Sequence, residues 1–261
     1  MRIALTIAGS DPGGGAGIQA DLKTFAAFGV YGASAITAVT VQSTRGVEAV
    51  EPLSADLVTA QIEAVAGDLR IDVTKIGMLA TASTIKELEL PLVVLDPVLV
   101  SSSGARLLDA DGVQAMCLEL LPLARAITPN VAEAEALSGR RISSPAEARD
   151  AARRIHDMGA ATVIITGGHG SGTKDQGPRT EVVDLVLHEG GFHEFRAPRI
   201  ESTSTHGTGC TYASALAAGL ALGQSIPDAA ARAQQYVGGA IAHAPAIGHG
   251  RGPLNHFWKG F

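Results

Sequence analysis

Short apolar runs and amphipathic segments alternate along almost the whole chain. Apolar runs rich in β-branched residues predict buried strands, over Arg2–Ala8, Ala33–Val41, Thr74–Ile76, Leu92–Leu95, Ala126–Thr128 and Thr162–Thr166. Apolar residues spaced three and four apart predict helices between them, over Ala16–Phe28, Asp56–Ala66, Val131–Leu137, Pro145–Met158, Gly209–Leu222 and Ile226–Ala242. These repeated units predict an α/β fold, a three-layer α/β/α sandwich around a mainly parallel central sheet.

One hairpin interrupts this alternation. Glu181–His188 and Phe192–Arg196 flank Glu189-Gly-Gly and predict two antiparallel strands. Gly170–Thr180, the only candidate linker, lies between two strands, so it is interpreted as a mobile loop inside one domain that spans residues 1–261.

Composition and charge exclude several classes of protein. The net charge is −6, which argues against broad nucleic-acid binding. No apolar run approaches the ~18 residues that span a bilayer, and Asp11 comes too early for a signal peptide. Two cysteines cannot build a disulfide scaffold, so a cytoplasmic location is expected.

Glycine is the conspicuous excess, with 31 of 261 residues. It clusters at residues 9–17, 167–172 and 207–209, each after a predicted strand or before a predicted helix. The carboxyl edge of a parallel sheet is where ligands bind, and helix N-termini attract phosphate. Tight turns alone are the alternative explanation. No P-loop motif is present, and Gly15-Ala-Gly-Ile-Gln-Ala20 lacks the acidic partner that a dinucleotide site requires.

The segment Ser204–Thr211 runs directly into an apolar helix. The backbone N–H groups of Thr208, Gly209 and Cys210 are expected to converge as an anion hole suited to phosphoryl transfer. Cys210 falls in the first helical turn, where the helix dipole lowers a thiol pKa. The alternative is a small buried residue that happens to follow a turn.

Three further polar residues have two interpretations each. Asn130 and Glu133 fit a helix capping box, but a carboxylate here also suits a Mg²⁺ ion that carries phosphate. Asp96 follows a strand and precedes Pro97, so it is either a turn aspartate or a second such carboxylate.

Taken together, the motifs resemble the hydroxymethylpyrimidine/phosphomethylpyrimidine kinases of thiamine biosynthesis. The matching segments are Ala8–Phe25, Thr37–Gln42, Lys75–Met78, Asp96–Val98, Thr128–Glu133, Thr205–Cys210 and Gly250–Phe257, in the order of that family. The resemblance implies a ribokinase-like fold, ATP and Mg²⁺ as cofactors, and two successive phosphorylations of a hydroxymethylpyrimidine. It also implies a homodimer or a larger homo-oligomer.

The resemblance also implies a role for each site residue. Those expected around the pyrimidine are Gly9, Asp21, Gln42 and Met78. Those expected to form the anion hole are Gly207, Thr208, Gly209 and Cys210. Those expected at ATP are Asn130, Thr166, Gly168 and His206, and those expected at Mg²⁺ are Asp96 and Glu133.

Two departures from the family pattern leave rival functions open. Thr166 stands where the family usually has lysine, for which Lys174 is a candidate substitute, and Thr84–Leu90 is shorter than usual. The rivals are a pyridoxal kinase of the same superfamily and a non-catalytic vitamin-binding homologue that has lost ATP use. Cysteine rather than aspartate at position 210 is interpreted as avoiding repulsion of the phosphate that enters the second step.

Overall fold

The computed structural model describes residues 1–79, 90–99, 110–168 and 180–260. The strands of these residues form one sheet in the order β3-β2-β1-β4-β5-β6-β7-β8-β9. Their bounds are β1 Ile3–Ser10, β2 Tyr31–Ser43, β3 Gly46–Pro52, β4 Val73–Ile76, β5 Val93–Leu95, β6 Ala124–Ile127, β7 Thr162–Gly168, β8 Glu181–His188 and β9 Gly191–Pro198.

The middle of the sheet is parallel and its edges are antiparallel. Strands β2, β1, β4, β5, β6 and β7 pair in parallel, whereas β3 joins one edge and β8 and β9 join the other in antiparallel fashion. The predicted mainly parallel sheet and the predicted hairpin are confirmed. Strand β3 was not predicted, because most of its residues are exposed and it has no apolar face.

Helices cover both faces of the sheet. They are α1 Gly17–Ala27, α2 Ala55–Asp68, α3 Ala110–Ala115, α4 Val131–Ser138, α5 Pro145–Asp157, α6 Thr208–Ala221 and α7 Ile226–Ala242. Helix α3 continues through a π-helical turn at Met116–Leu120 and a 3-10 turn at Leu121–Leu123.

Two separate apolar cores confirm the three layers. Leu5 and Ile7 of β1 face a core built with α2, α4 and α5, whereas Ala4 faces a second core built with α1, α6 and α7. Successive side chains of a strand point to opposite faces, so the apolar runs of the central strands supply both cores.

Helix α6 begins without a side-chain cap, as α1 also does. The hydroxyls of Ser54, Ser144 and Ser225 accept backbone N–H hydrogen bonds at the starts of α2, α5 and α7. At α6 the N-cap is Gly207, with φ of 83° and no side-chain cap. No side-chain cap therefore competes with an outside acceptor for the first turn of α6, where the N–H of Thr208 donates to the carbonyl of Thr205 at 3.4 Å.

Some expectations lie outside the described residues. These are Lys174 and nearly all of two segments, Thr84–Leu90 and the Gly170–Thr180 loop. In the part of the chain that the structure describes, no helix is both long and apolar enough to cross a bilayer.

Candidate active site

The expected site residues gather at the carboxyl edge of the parallel strands. Gly9 lies at the end of β1, Met78 follows β4, Asp96 follows β5, and Asn130 follows β6. The start of α6 reaches the same edge, where Gly209 faces Asp96: a Cβ on Gly209 would lie 3.7 Å from its Oδ1. The prediction that glycine clusters 9–17 and 207–209 share one edge is confirmed.

Asp11 organises the first glycine cluster, residues 9–17, which we call the first glycine loop. Its Oδ1 accepts the N–H of Gly13 at 2.8 Å, and its Oδ2 accepts those of Gly15 and Ala16 at 3.1 and 2.9 Å. Burial alone would raise the pKa of Asp11, but hydrogen bonds from His206 and from this loop hold that pKa below its usual value. Asp11 is therefore an ionised carboxylate that shapes the loop.

The first glycine loop touches the start of α6 backbone to backbone. A Cβ on Gly207 would overlap the carbonyl oxygen of Gly15, and the left-handed φ of Gly207 also favours glycine. These glycines allow the two segments to meet without a side chain between them. Residues from opposite ends of the chain therefore form one surface.

Cys210 has a less reactive thiol than its place in the helix suggested. It is half-buried in the first turn of α6. Burial raises the pKa of its thiol to about 12; the positive charge of Lys75 lowers that pKa, and the carboxylates of Asp96 and Asp21 raise it. The expected lowering of the Cys210 pKa is wrong, because burial disfavours the thiolate. The thiol is therefore protonated at neutral pH.

Behind Cys210 lies a fully buried ion pair. The Nζ of Lys75 is 3.1 Å from Oδ2 of Asp21 and 3.7 Å from Oδ2 of Asp96. Burial alone would lower the pKa of Lys75, but the negative charge of Asp21, and then that of Asp96, holds it above its usual value. Sequence reasoning missed Lys75, although a lone lysine in the apolar strand Val73–Ile76 was the available signal.

Asp21 lies beneath the site rather than around a ring. Its carboxylate is fully buried and accepts hydrogen bonds from the hydroxyls of Thr6 and Ser214, at 2.6 and 2.7 Å, as well as from Lys75. The expected direct contact of Asp21 with the pyrimidine is therefore not what this structure shows. Asp21 instead pairs with Lys75, which lies between Asp21 and Asp96.

Asp96 and Glu133 form a pair of carboxyl groups with raised pKa values. Burial raises the pKa of Asp96, and burial followed by the charge of Asp96 raises that of Glu133 to about 8. The buried Oδ2 of Asp96 has no hydrogen-bond partner. Two carboxyl groups, one of which has a buried oxygen that accepts no hydrogen bond, suit a Mg²⁺ ion whose other ligands are phosphate and water. No cluster of three or more candidate metal ligands occurs among the described residues.

Asn130 and Glu133 also form the capping box that the sequence allowed. The Asn130 side chain accepts the N–H of Glu133 at 3.0 Å, and Glu133 accepts the N–H of Asn130 at 2.9 Å. The structural interpretation of this pair is confirmed, so the amide oxygen of Asn130 is already engaged at the start of α4.

His206 lies beside Gln42. Its Nε2 is 2.8 Å from Oδ2 of Asp11 and 3.2 Å from the terminal amide of Gln42. His206 thus neighbours Gln42, which is expected at the pyrimidine, whereas His206 itself is expected at ATP. Met78 packs against Gly9, which is also expected at the pyrimidine: a Cβ on Gly9 would lie 3.3 Å from its sulfur.

Thr166 and Gly168 lie at the end of β7. The N–H of Thr166 donates to the carbonyl of Pro129 at 2.8 Å. Thr166 also forms an isolated parallel β-bridge with Asn130. Gly168 pairs with Val183 of β8. Thr166 and Asn130, both expected at ATP, are thus neighbours at the same edge.

Comparison with known proteins points to one family. A family model described as phosphomethylpyrimidine kinase matches residues 11–255. A hydroxymethylpyrimidine/phosphomethylpyrimidine kinase of Rhizobium meliloti is 48% identical over 98% of each chain. A thiamine biosynthesis bifunctional protein of Geobacter sulfurreducens is 46% identical over 97% of this chain, which spans 51% of that longer protein.

Solved structures share the fold. The pyridoxal kinase from Staphylococcus aureus, in complex with AMP-PCP and pyridoxal, superposes with a TM-score of 0.86. It is 35% identical, and the match covers 98% of this chain and 93% of that one. The expected ribokinase-like α/β fold is confirmed.

Proposed function

The chain belongs to the phosphomethylpyrimidine kinase family, and on that premise we propose that it uses ATP to phosphorylate a hydroxymethylpyrimidine twice. The first transfer makes the monophosphate, and the second makes the diphosphate, as a step of thiamine biosynthesis. One observation carries the site assignment: the uncapped start of α6 faces Asp96 at the sheet edge that also holds Gly9, Met78 and Gln42.

The start of α6 would stabilise the phosphoryl group in transit. Phosphoryl transfer through a loose transition state needs positioning and charge neutralisation more than a strong base. The N–H groups of Thr208, Gly209 and Cys210 lie in the first turn, where the helix dipole is positive. We assign the anion hole to these three residues together with Gly207.

A neutral thiol at Cys210 suits the second transfer. Its pKa of about 12 keeps it protonated, so it adds no negative charge beside an incoming phosphate. It does not serve as a general base. The nucleophile of the second transfer is a phosphate oxygen that needs little deprotonation, so a base at this position is not required.

Asp96 and Glu133 would hold Mg²⁺. The ion would neutralise charge on the ATP phosphates, and the buried Oδ2 of Asp96, which accepts no hydrogen bond, supports this assignment. Asn130, Thr166 and Gly168 are the residues we place along ATP. We place the pyrimidine against Gly9, Gln42 and Met78, and His206 beside Gln42.

A two-stage assay tests this function. The protein is incubated with Mg-ATP and either the hydroxymethylpyrimidine or its monophosphate, and products are followed by phosphorus NMR. We expect the monophosphate and then the diphosphate. Recovery of unchanged substrate in both reactions would refute the proposal and favour a non-catalytic vitamin-binding homologue, which Thr166 in place of lysine would suit.

Pyridoxal phosphorylation is a second candidate, favoured by the structural similarity to a pyridoxal kinase. Parallel kcat/KM values on pyridoxal and the pyrimidine decide between them, and we expect the pyrimidine to be the better substrate. We further propose a dimer or larger oligomer, testable by light scattering. A reducing compartment such as the cytoplasm suits the two free cysteines.

A further inference from the structure

The side-chain amide of Gln42 lies between two polar groups that determine its orientation. The structure has the amide nitrogen 3.2 Å from Nε2 of His206 and the amide oxygen 3.1 Å from Oγ1 of Thr40. The oxygen and nitrogen of an amide have nearly the same shape, so hydrogen-bond partners decide which atom faces which group.

Asp11 fixes the first partner. An ionised carboxylate only accepts hydrogen bonds, and Oδ2 of Asp11 lies 2.8 Å from Nε2 of His206. Nε2 must therefore carry a hydrogen, which it shares between Oδ2 of Asp11 at 2.8 Å and the facing atom of Gln42 at 3.2 Å. If the amide nitrogen of Gln42 faced Nε2, two donors would oppose each other 3.2 Å apart.

Thr40 fixes the second partner in the same sense. Its single hydroxyl hydrogen is donated to the carbonyl of Ser10 at 3.0 Å, so Oγ1 can only accept from Gln42. These partners require the two amide atoms to be exchanged, so that the nitrogen faces Thr40 and the oxygen faces His206. Two separate constraints, one from each side, require the same orientation.

We propose that His206 is a positioning residue that fixes the Gln42 amide and thereby selects which edge of a heteroaromatic ring can bind. After these two hydrogen bonds, the half-buried Gln42 keeps one N–H donor and one carbonyl lone pair. Their fixed order matches an amino group beside an unprotonated ring nitrogen. A ring with a carbonyl beside an N–H presents the reverse order. This inference rests on the proposed function, which places the pyrimidine at Gln42.

The test compares two substrates that differ only at this edge. They are 4-amino-5-hydroxymethyl-2-methylpyrimidine and its 4-oxo analogue, with kcat/KM measured for the native protein, His206→Leu and His206→Gln. The native protein should prefer the amino ring by about 100-fold, since each reversed group leaves a hydrogen bond unmade. His206→Leu removes the donor, so this preference should fall by at least about 10-fold.

His206→Gln is the matched control, because its amide N–H can still donate toward Asp11 and Gln42. It should retain the preference. A merely structural role of His206 would lower both rates by the same factor and leave their ratio unchanged, which would overturn the inference. A native protein that does not distinguish the two rings would overturn it as well.

Two measurements keep this test separate from the proposed function. Calorimetry without ATP gives the dissociation constant of each ring. The ratio of these two constants measures the preference for the amino ring independently of phosphoryl transfer. Binding of the amino ring without phosphorylation would refute the function and leave the inference to be judged on that ratio. Nitrogen-15 NMR of the native protein should find a hydrogen on Nε2 of His206, and an unprotonated Nε2 would overturn the inference even if the variants do not fold.

Discussion

Replacing Lys75 by methionine should destabilise the protein strongly. Methionine matches the length of lysine but carries no charge, so Asp21 would remain buried with only the hydroxyls of Thr6 and Ser214. At 3.1 Å and an effective dielectric constant of about 20, the attraction between Lys75 and Asp21 is about 5 kcal/mol. Breaking a buried pair from one side costs about 3–5 kcal/mol.

The assay is urea unfolding, followed by the fluorescence of the single tryptophan. The expected loss in the free energy of unfolding is about 3–5 kcal/mol. In thermal unfolding, this loss corresponds to a fall in Tm of about 6–20 °C for a domain of this size. Arg154→Met is the control, because it removes an exposed ion pair with Asp150 that is worth less than about 1 kcal/mol. Adding Asp21→Asn to Lys75→Met should restore part of the stability.

The reasoning would be refuted by a loss as small as that of Arg154→Met. It would also be refuted if Asp21→Asn worsened the Lys75→Met variant, because the unpaired charge would then not be the cause of the loss.

Three other changes test the site and its surroundings. Cys210→Asp should impair the second phosphorylation at least about 10-fold more than the first. The added negative charge would repel the phosphate of the monophosphate substrate, at a cost of about 4 kcal/mol for a separation of about 4 Å. Cys210→Ser is the neutral control, and equal losses in both steps would contradict the assignment. Gly207→Ala should cost about 1–3 kcal/mol in urea unfolding, and more than Gly223→Ala, which has a similar φ of 85° but no atom within 4 Å; equal costs would show that the Gly15 contact is unimportant. Burial, with a smaller effect of Lys23, lowers the pKa of His256 to about 4 against about 6.5 when unfolded. Stability should therefore be fully present above pH 6.5 and lost as the pH falls through 4, by about 3 kcal/mol, and His256→Gln should remove this loss in unfolding curves between pH 4 and 7.

The sequence was sufficient for most of the sheet because buried parallel strands have no polar face. Val93–Leu95 and Thr162–Gly168 are uninterrupted apolar or small stretches, and the loops after them contain the expected polar residues. Strand β3 had no such signal, since its side chains are largely exposed and include two glutamates. An edge strand is defined by the neighbour it pairs with, which no local pattern reveals.

The site was predictable in membership more than in arrangement. Local rules were enough for the helix start after Gly207 and for the capping box at Asn130. They could not give the pKa of Cys210, because that depends on burial and on charges that the fold brings together. The same holds for Asp21, whose partner Ser214 is 193 residues away along the chain.

The meeting of the first glycine loop with the start of α6 has a consequence for biosynthesis. Asp11 contacts His206, which follows it by 195 residues, so the loop leaves the ribosome long before its partner is made. At about 5–20 residues per second, that interval is about 10–40 seconds. In an incomplete chain the loop has no start of α6 to meet, so the pyrimidine site and the anion hole that we propose cannot form during this time. Ligands of the finished enzyme therefore cannot assist the folding of the nascent chain, and only full-length molecules can be stabilised by them.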